Sequence, residues 1–272
     1  MKRLILFFAA GVLLVGALHA EYLRVHFIDV GQGSAVLLET PDARVLVDAG
    51  QYADAYEYLT KIGVETLDLA IATHAHADHI GGFIPILRNL RVGTIWYNGQ
   101  THTTRTFERF IDAMLESDAA YHEPSRGESV RFGRLVVTVL HPEGSAAEYE
   151  GHLHDKNIVV RARFGEFSVL LTGDAEIEAE REMISVGVAL ASTVLKLGHH
   201  GSSTSSSPEF LKAVNPEVAV YQAGSDNRYG HPHGVVMRRI EALRGVDLYG
   251  TAGHGTIVIE TDGLTFTIET EW

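Results

Sequence analysis

The 272 residues contain no cysteine, which rules out disulfides, thiolate metal ligands and a lipid anchored through a thiol. Any metal must be held by nitrogen and oxygen. Positive charge is scarce as well: 22 Lys and Arg stand against 35 Asp and Glu, for a formal net charge of −13. Such a surface does not draw polyanions at long range, which counts against tight non-specific nucleic-acid binding. A phosphodiester held through divalent cations stays open, because the ions reverse the sign locally. Ser/Pro-rich linkers are missing too, so nothing divides the chain into separate domains. The longest apolar run, residues 4–18, follows Met1-Lys2-Arg3 and has no second basic flank. It is short for a membrane span, and residues 1–20 read as a cleaved export signal, with a retained anchor as the alternative. Losing Lys2 and Arg3 would take the charge to −13 − 2 = −15. The expected product is a single domain over residues 21–272, secreted or periplasmic, without integral membrane association after cleavage.

What the chain does have is 46% hydrophobic residues, enough for a sizeable core. Strand-like runs at residues 22–29, 34–39 and 44–47 are separated by Gly31-Gln32-Gly33 and Pro41-Asp42. A helix is expected at 53–62, a strand at 67–72, a helix-like segment at 80–89, a strand at 94–97, a helix at 104–116 and paired strands at 130–132 and 135–140. A second cycle follows: a hairpin of 157–164 and 167–172 about Gly165-Glu166, a helix at 176–186, and a strand at 193–197. Helices near 208–213 and 235–243 flank a strand at 218–222, and strands at 255–261 and 264–269 close the chain. Two rounds of hairpin followed by helices predict an α/β (α+β) fold, two sheets packed face to face with helices outside, an αββα sandwich.

His74-Ala75-His76-Ala77-Asp78-His79 places four potential metal ligands in six positions directly after an apolar run. On an extended segment His74 and His76 share a face and can pinch one ion. Asp78 and His79, at the expected turn into a helix starting at Gly81-Gly82, point across the cavity and can hold a second. That is a two-metal site in outline.

These residues carry a family resemblance over nearly the whole mature chain. HAHADHIGG at 74–82 resembles the signature of the metallo-β-lactamase fold. FIDVGQG at 27–33, LVDAG at 46–50, LLTGDAE at 170–176, LKLGHHGSSTSSS at 195–207 and NRYGHPH at 227–233 resemble the subgroup typified by the C-terminal domain of the competence protein ComEC. The resemblance implies an αββα metallo-β-lactamase sandwich with metals at one edge of the sheets, hydrolysis as the reaction, and a phosphodiester, DNA in particular, as substrate. One departure stands out. The subgroup usually has Asp after GQG, whereas this chain has Ser34, which removes a carboxylate from the neighbourhood of the site.

Asp174, which follows a strand through Gly173, can bridge both ions, or else cap the next helix. One of His199 and His200 should complete the shell of the second ion while the other orients a ligand or meets substrate, and His199 is favoured. The resemblance places a third nitrogen ligand for the first ion at His154, where a solvated loop histidine is the alternative. Asn227, Tyr229, His231 and His233 can hydrogen-bond a phosphate, with His231 or His233 protonating the leaving oxygen; capping of the next helix is the competing role. Ser202 and Ser203 can donate to substrate oxygens or simply form a turn. Asp29 and Asp48 can hold ligand imidazoles or serve turn chemistry. His26, His102, His122, His141 and His254 lack a partner motif and read as structural or surface residues.

The expected reaction is phosphodiester hydrolysis with two divalent ions, Zn or Mn, activating a shared water. Two other readings compete: hydrolysis of small esters, lactones or β-lactams on the same site, and a non-catalytic module binding metal or nucleotide. Convergence of Arg105, Arg109, Arg126, Arg228, Arg238 and Arg239 would favour DNA. No stable protein partner is expected.

Overall fold

The computed structural model describes residues 21–147 and 151–272, and the expected export signal at residues 1–20 lies outside this range. In the first half, β1 (Leu23–Phe27), β2 (Val36–Glu39) and β3 (Arg44–Val47) form an antiparallel meander. After α1 (Asp54–Lys61) come three parallel strands, β4 (Thr66–Ala72), β5 (Arg91–Tyr97) and β6 (Ala120–His122). Between them lie α2 (Ala77–Ile80), α3 (Phe83–Asn89) and α4 (Arg105–Glu116).

The second half repeats the plan. Strands β7 (Ser129–Phe132), β8 (Leu135–His141), β9 (Val159–Phe164) and β10 (Phe167–Leu171) are antiparallel. Parallel β11 (Val194–Lys196), β12 (Val218–Tyr221) and β13 (Asp247–Gly250) follow, connected through α5 (Ile177–Ser185), α6 (Pro208–Val214) and α7 (Gly234–Glu241). A one-turn helix, α8 (Thr251–His254), leads to the hairpin β14 (Ile257–Thr261) and β15 (Phe266–Thr270), which returns to pair with β1. The sheets are therefore β15-β14-β1-β2-β3-β4-β5-β6 and β13-β12-β11-β10-β9-β8-β7.

Period-two alternation stacks these sheets. Leu23, Val25 and Phe27 of β1, with Val45 and Val47 of β3, meet Val137 and Val139 of β8 and Val169 and Leu171 of β10 in the central core. The opposite faces carry the helices. Leu37, Leu46, Ala70 and Ile95 pack under Phe83 of α3 and Phe107 and Phe110 of α4, and Leu170, Leu195 and Ala219 under Met183, Phe210 and Val236. Each large side chain so buried contributes about 1.5–3 kcal/mol. Helix starts are chemically marked: the Thr104 hydroxyl accepts from the Phe107 N–H at 3.3 Å, and that of Ser207 from the Phe210 N–H at 3.2 Å, with Pro208 in the first turn.

The four-layer αββα expectation holds, with local corrections. The helix expected over 80–89 is two helices, α2 and α3, and the strand before the histidines stops at Ala72. Strands β6 and β13 and helix α8 were not anticipated. No described helix is long and apolar enough to cross a membrane.

Candidate metal centre

Four strands deliver the site from their C-terminal ends: β4 leads to His74, β10 to Asp174, β11 to His199 and His200, and β12 to Gln222. The histidine motif is a loop and a short helix rather than a strand end: His76 precedes α2, which contains Asp78 and His79. Backbone bonds from neighbouring loops pin that helix, with Ser34 N–H donating to Asp78 O at 3.1 Å, Ala49 N–H to His79 O at 2.8 Å and Gly82 N–H to Gly50 O at 3.0 Å. The loops approach so closely that a Cβ on Gly82 would collide with the Ala49 carbonyl oxygen.

Two groups of donors meet at Asp174, and a third, of His152, His154 and Glu176, adjoins the first. In the first, His74 Nε2 lies 2.9 Å from His76 Nδ1, which lies 3.1 Å from His154 Nε2. Asp174 Oδ2 is 3.9 Å from both His74 Nε2 and His154 Nε2. In the second, His200 Nε2 is 3.3 Å from Asp78 Oδ2 and 3.4 Å from Asp174 Oδ2, and His79 Nε2 is 3.2 Å from Asp174 Oδ1. Asp174 thus faces both groups.

Hydrogen bonds on the far side of each ring decide what faces inward. His79 Nδ1–H donates to Asp48 Oδ2 at 2.7 Å, and His200 Nδ1–H to the Gln222 carbonyl at 2.9 Å. His154 Nδ1–H donates to Glu176 Oε1 at 3.2 Å. The Thr73 hydroxyl donates to Asp48 Oδ2 at 3.0 Å and so accepts from His74 Nδ1–H at 3.1 Å. Each neutral ring therefore turns an Nε2 lone pair toward other lone pairs. His79 Nε2, His200 Nε2 and Asp174 Oδ1 are buried without a hydrogen-bond partner. Lone pairs crowded this way call for a metal cation between them or for protons on the rings. Nitrogens about 2.0–2.1 Å from an ion would sit about 3.3 Å apart in a tetrahedron, close to the observed spacing. The residues fit divalent metal ions.

The titration behaviour agrees. Burial pushes His74 well below the usual imidazole range, and burial with His154 beside it lowers His76 to about 4. Burial would also depress His79 and His200, yet Asp174 with Asp48 holds His79 well above that range, and Asp174 with Asp78 raises His200. Burial would raise Asp174 and Asp78, but His200 and His79 overcome it, leaving Asp174 well below the carboxylate range and Asp78 at about 2. Protons on these histidines occupy the position a metal cation would take.

Backbone strain concentrates here. Asp48 (φ 58°), His199 (φ 47°) and His200 (φ 56°) account for three of the five described non-glycine residues at positive φ. The consecutive left-handed pair forms a tight turn over Gly198–Gly201, not the end of a strand. That turn reverses the preference between the two histidines: His200 enters the group with Asp78 and His79. His199 Nε2 stays 3.8 Å from Asp174 Oδ2, and its Nδ1 lies 3.1 Å from Glu176 Oε1.

Other expected residues divide. His154 is buried and inside the first group. His231, Asn227 and Tyr229 line the cleft above the donors. The Asn227 amide is spent on its own loop, donating to the Gly224 and His231 carbonyls and accepting the His231 N–H. His231 Nδ1 has no partner, and burial with His200 and His199 nearby lowers the ring to about 4. His233 does not reach the cleft: its Nδ1 accepts the Ser203 N–H at 2.8 Å and its Nε2–H donates to Tyr229 O at 3.2 Å. Ser202 bonds Thr204, and neither Ser202 nor Ser203 lines the cleft. Asp48 holds His79, whereas among the described residues Asp29 accepts only the Gly31 N–H, a turn role. Ser34 lies behind Asp78, its hydroxyl donating to Gln222 Oε1 at 3.3 Å.

Several contributors went unrecognised in the sequence. Glu176 orients His154 and His199 through one oxygen. Asn157 accepts the Asp174 N–H at 2.9 Å, and His102 lines the cleft with its ring 5.9 Å from that of His76. Lys196, fully buried, donates to the Gly173 carbonyl at 3.2 Å beneath the carboxylates. The acidic residue two after Asp174 was the one readable signal. The arginines do not all gather at the cleft: Arg228 lines it and Arg109 lines a neighbouring groove, but Arg126 pairs with Glu182 and Glu143, and Arg239 donates to the Ser205 and Ser206 carbonyls.

A four-layer sandwich whose parallel strands end on a buried histidine and aspartate donor set defines a metal-binding hydrolase fold. The chain belongs to the metallo-beta-lactamase superfamily, whose family model matches residues 28–224. It is 31% identical over 255 residues to ComE operon protein 3 of Bacillus subtilis, covering 86% of this chain and 32% of that protein. With competence protein ComA of Neisseria gonorrhoeae it shares 32% identity over 242 residues, covering 86% and 30% respectively. The chain thus spans about a third of the length of these relatives. The crystal structure of YhfI from Bacillus subtilis shares the fold, with a TM-score of 0.59 at 15% identity over 89% of this chain and all of that one.

Proposed function

We propose that this protein is an exported metal-dependent phosphodiesterase that cleaves DNA. The observation that carries the hydrolytic reading is the buried Asp174 carboxylate set between two groups of inward-facing imidazole lone pairs. The resemblance to the ComEC subgroup and a relative named as a competence protein support DNA as the substrate, and the leader-like residues 1–20 support export. His74, His76 and His154 with Asp174 would hold one divalent ion, Zn or Mn, and Asp78, His79 and His200 with Asp174 a second. When bound, such ions act as Lewis acids and bring the pKa of water toward neutrality.

The chain's own residues do the positioning. Asp48, Thr73, Gln222 and Glu176 fix which ring nitrogen of His79, His74, His200 and His154 faces the cleft. Asn157 fixes the backbone of Asp174. His231, at about 4, is neutral at pH 7, so it serves as a hydrogen-bonding partner for a phosphate oxygen rather than as the proton donor to the leaving group. That proton then comes from solvent. Dispersal of the arginines favours one second reading, a smaller ester in the same cleft.

The test is hydrolysis by protein stripped of metal and reloaded separately with Mn and Zn, on single- and double-stranded DNA, with His76→Ala as the contamination control. Metal-dependent cleavage absent from the control is the expected result. Fully loaded protein that leaves both DNAs intact would remove the nuclease reading and favour the smaller ester.

A further inference from the structure

The cleft over the donor groups, about 670 Å³, is bounded on one side by Gln51 and Tyr52. The same two residues bound a second groove of about 490 Å³, which runs over Ile84 and Pro85 to Arg88, Asn89 and Arg109. The two concavities thus share a wall, and Tyr52 stands on it with 67% of its surface exposed. We propose that the second groove is a subsite for single-stranded nucleic acid running away from the reacting phosphodiester, with Tyr52 stacking an unpaired base and Arg109 holding a phosphate.

An exposed tyrosine beside an apolar floor offers a platform to any base, and a strand must be unpaired to use it. Arg109 is exposed, and no described ion pair involves it. Arg88 is paired at 3.1 Å with Glu116 on the surface, an exchangeable contact of the kind a phosphate can replace. In a chain of net charge −13, the two arginines of a groove adjoining the cleft have the sign that complements a phosphate backbone. Helix α4 reinforces this: Thr104, at its N-terminus, lines the cleft, so the positive end of the helix faces the path of the strand.

The inference rests on the phosphodiesterase reading, and the experiment separates the two. Binding of a fluorescein-labelled octathymidylate is followed by anisotropy in EDTA across a salt series, for wild type, Tyr52→Ala and Arg109→Ala. Both side chains are solvent-exposed, and circular dichroism confirms that the variants fold. Tyr52→Ala should weaken binding about 30-fold, the middle of the range for one base stacked on an aromatic ring, with an unchanged salt slope. Arg109→Ala should reduce the slope of log affinity against log salt by about 0.7, one phosphate contact. Wild-type affinity and slope in both variants, or no binding by wild type, would overturn the subsite. Hydrolysis of bis(4-nitrophenyl) phosphate by metal-loaded wild type reads the other claim. Turnover without strand binding removes the groove and leaves the reading; strand binding that depends on Tyr52 and Arg109 without any hydrolysis removes the reading and leaves the groove.

Discussion

The two halves of the chain build one site by opposite means. The first half supplies His74, His76, Asp78 and His79 from a single loop and one-turn helix after β4, held by close-packed backbone from residues 34, 49 and 50. The second half supplies His154, Asp174 and His200 from three separate segments, aimed by side-chain hydrogen bonds and a left-handed turn. Contiguous ligands inherit their geometry from local backbone, while dispersed ones depend on partners elsewhere in the fold. The halves should therefore fail differently when altered.

The largest effect should come from the residue they share. Asp174 faces both donor groups, so Asp174→Asn should lower metal content in both and reduce turnover by more than about 100-fold, beyond what loss of an outer hydrogen-bond partner costs. His76→Ala touches one group and should spare part of the metal. Metal analysis of the two variants decides it; equal stoichiometry would mean that Asp174 does not join the halves.

Backbone packing gives the next contrast. Gly82→Ala drives a methyl group into the Ala49 carbonyl, which cannot swing aside, and should cost about 3 kcal/mol, the upper end for overpacking. Gly173→Ala meets side-chain rather than backbone atoms, those of Asn157 and Thr73, at φ +51°; the left-handed backbone alone should cost about 1 kcal/mol, and shifting the hydrogen-bonded Asn157 amide adds to that. Urea midpoints measure both. A Gly173→Ala protein as unstable as Gly82→Ala would show that the second half is no more adaptable than the first.

The outer partners refine the comparison. Asp48→Asn replaces with a donor one of the two oxygens that accept from the Thr73 N–H and from buried His79 and should weaken metal affinity toward the 100-fold end of the range. Glu176→Gln, on a partly exposed carboxylate, belongs nearer the tenfold end. Competition with a chromophoric chelator gives both values. A larger loss for Glu176→Gln would make the second half the stronger anchor.

Legibility follows the same division. The αββα architecture was readable because the apolar runs of β1, β3, β8 and β10 stand between clear Gly and Pro turns and are followed by helices, and the histidine motif because its spacing is local. Strand β6 was not, since all three of its residues are exposed and only pairing with β5 defines it. Ser202, Ser203 and His233 adjoin residues that line the cleft, but Ser202 bonds Thr204 and the Ser203 N–H donates to His233, away from the cleft. Two adjacent histidines cannot be ranked without knowing that both adopt left-handed backbone.

That last point yields the smallest expected effect. His199 contacts Glu176 and Thr204 through Nδ1, and its Nε2 lies outside the groups that can hold metal. His199→Ala should therefore leave metal stoichiometry unchanged and lower kcat/KM by less than about tenfold, the lower bound for an outer partner. His200→Ala, which strips a buried nitrogen facing Asp78 and Asp174, should remove metal. If His199→Ala lost an equivalent of metal and His200→Ala kept it, the turn would rearrange on metal binding, and the second half would owe its ligand geometry to the ion rather than to the hydrogen bonds that hold it in the fold.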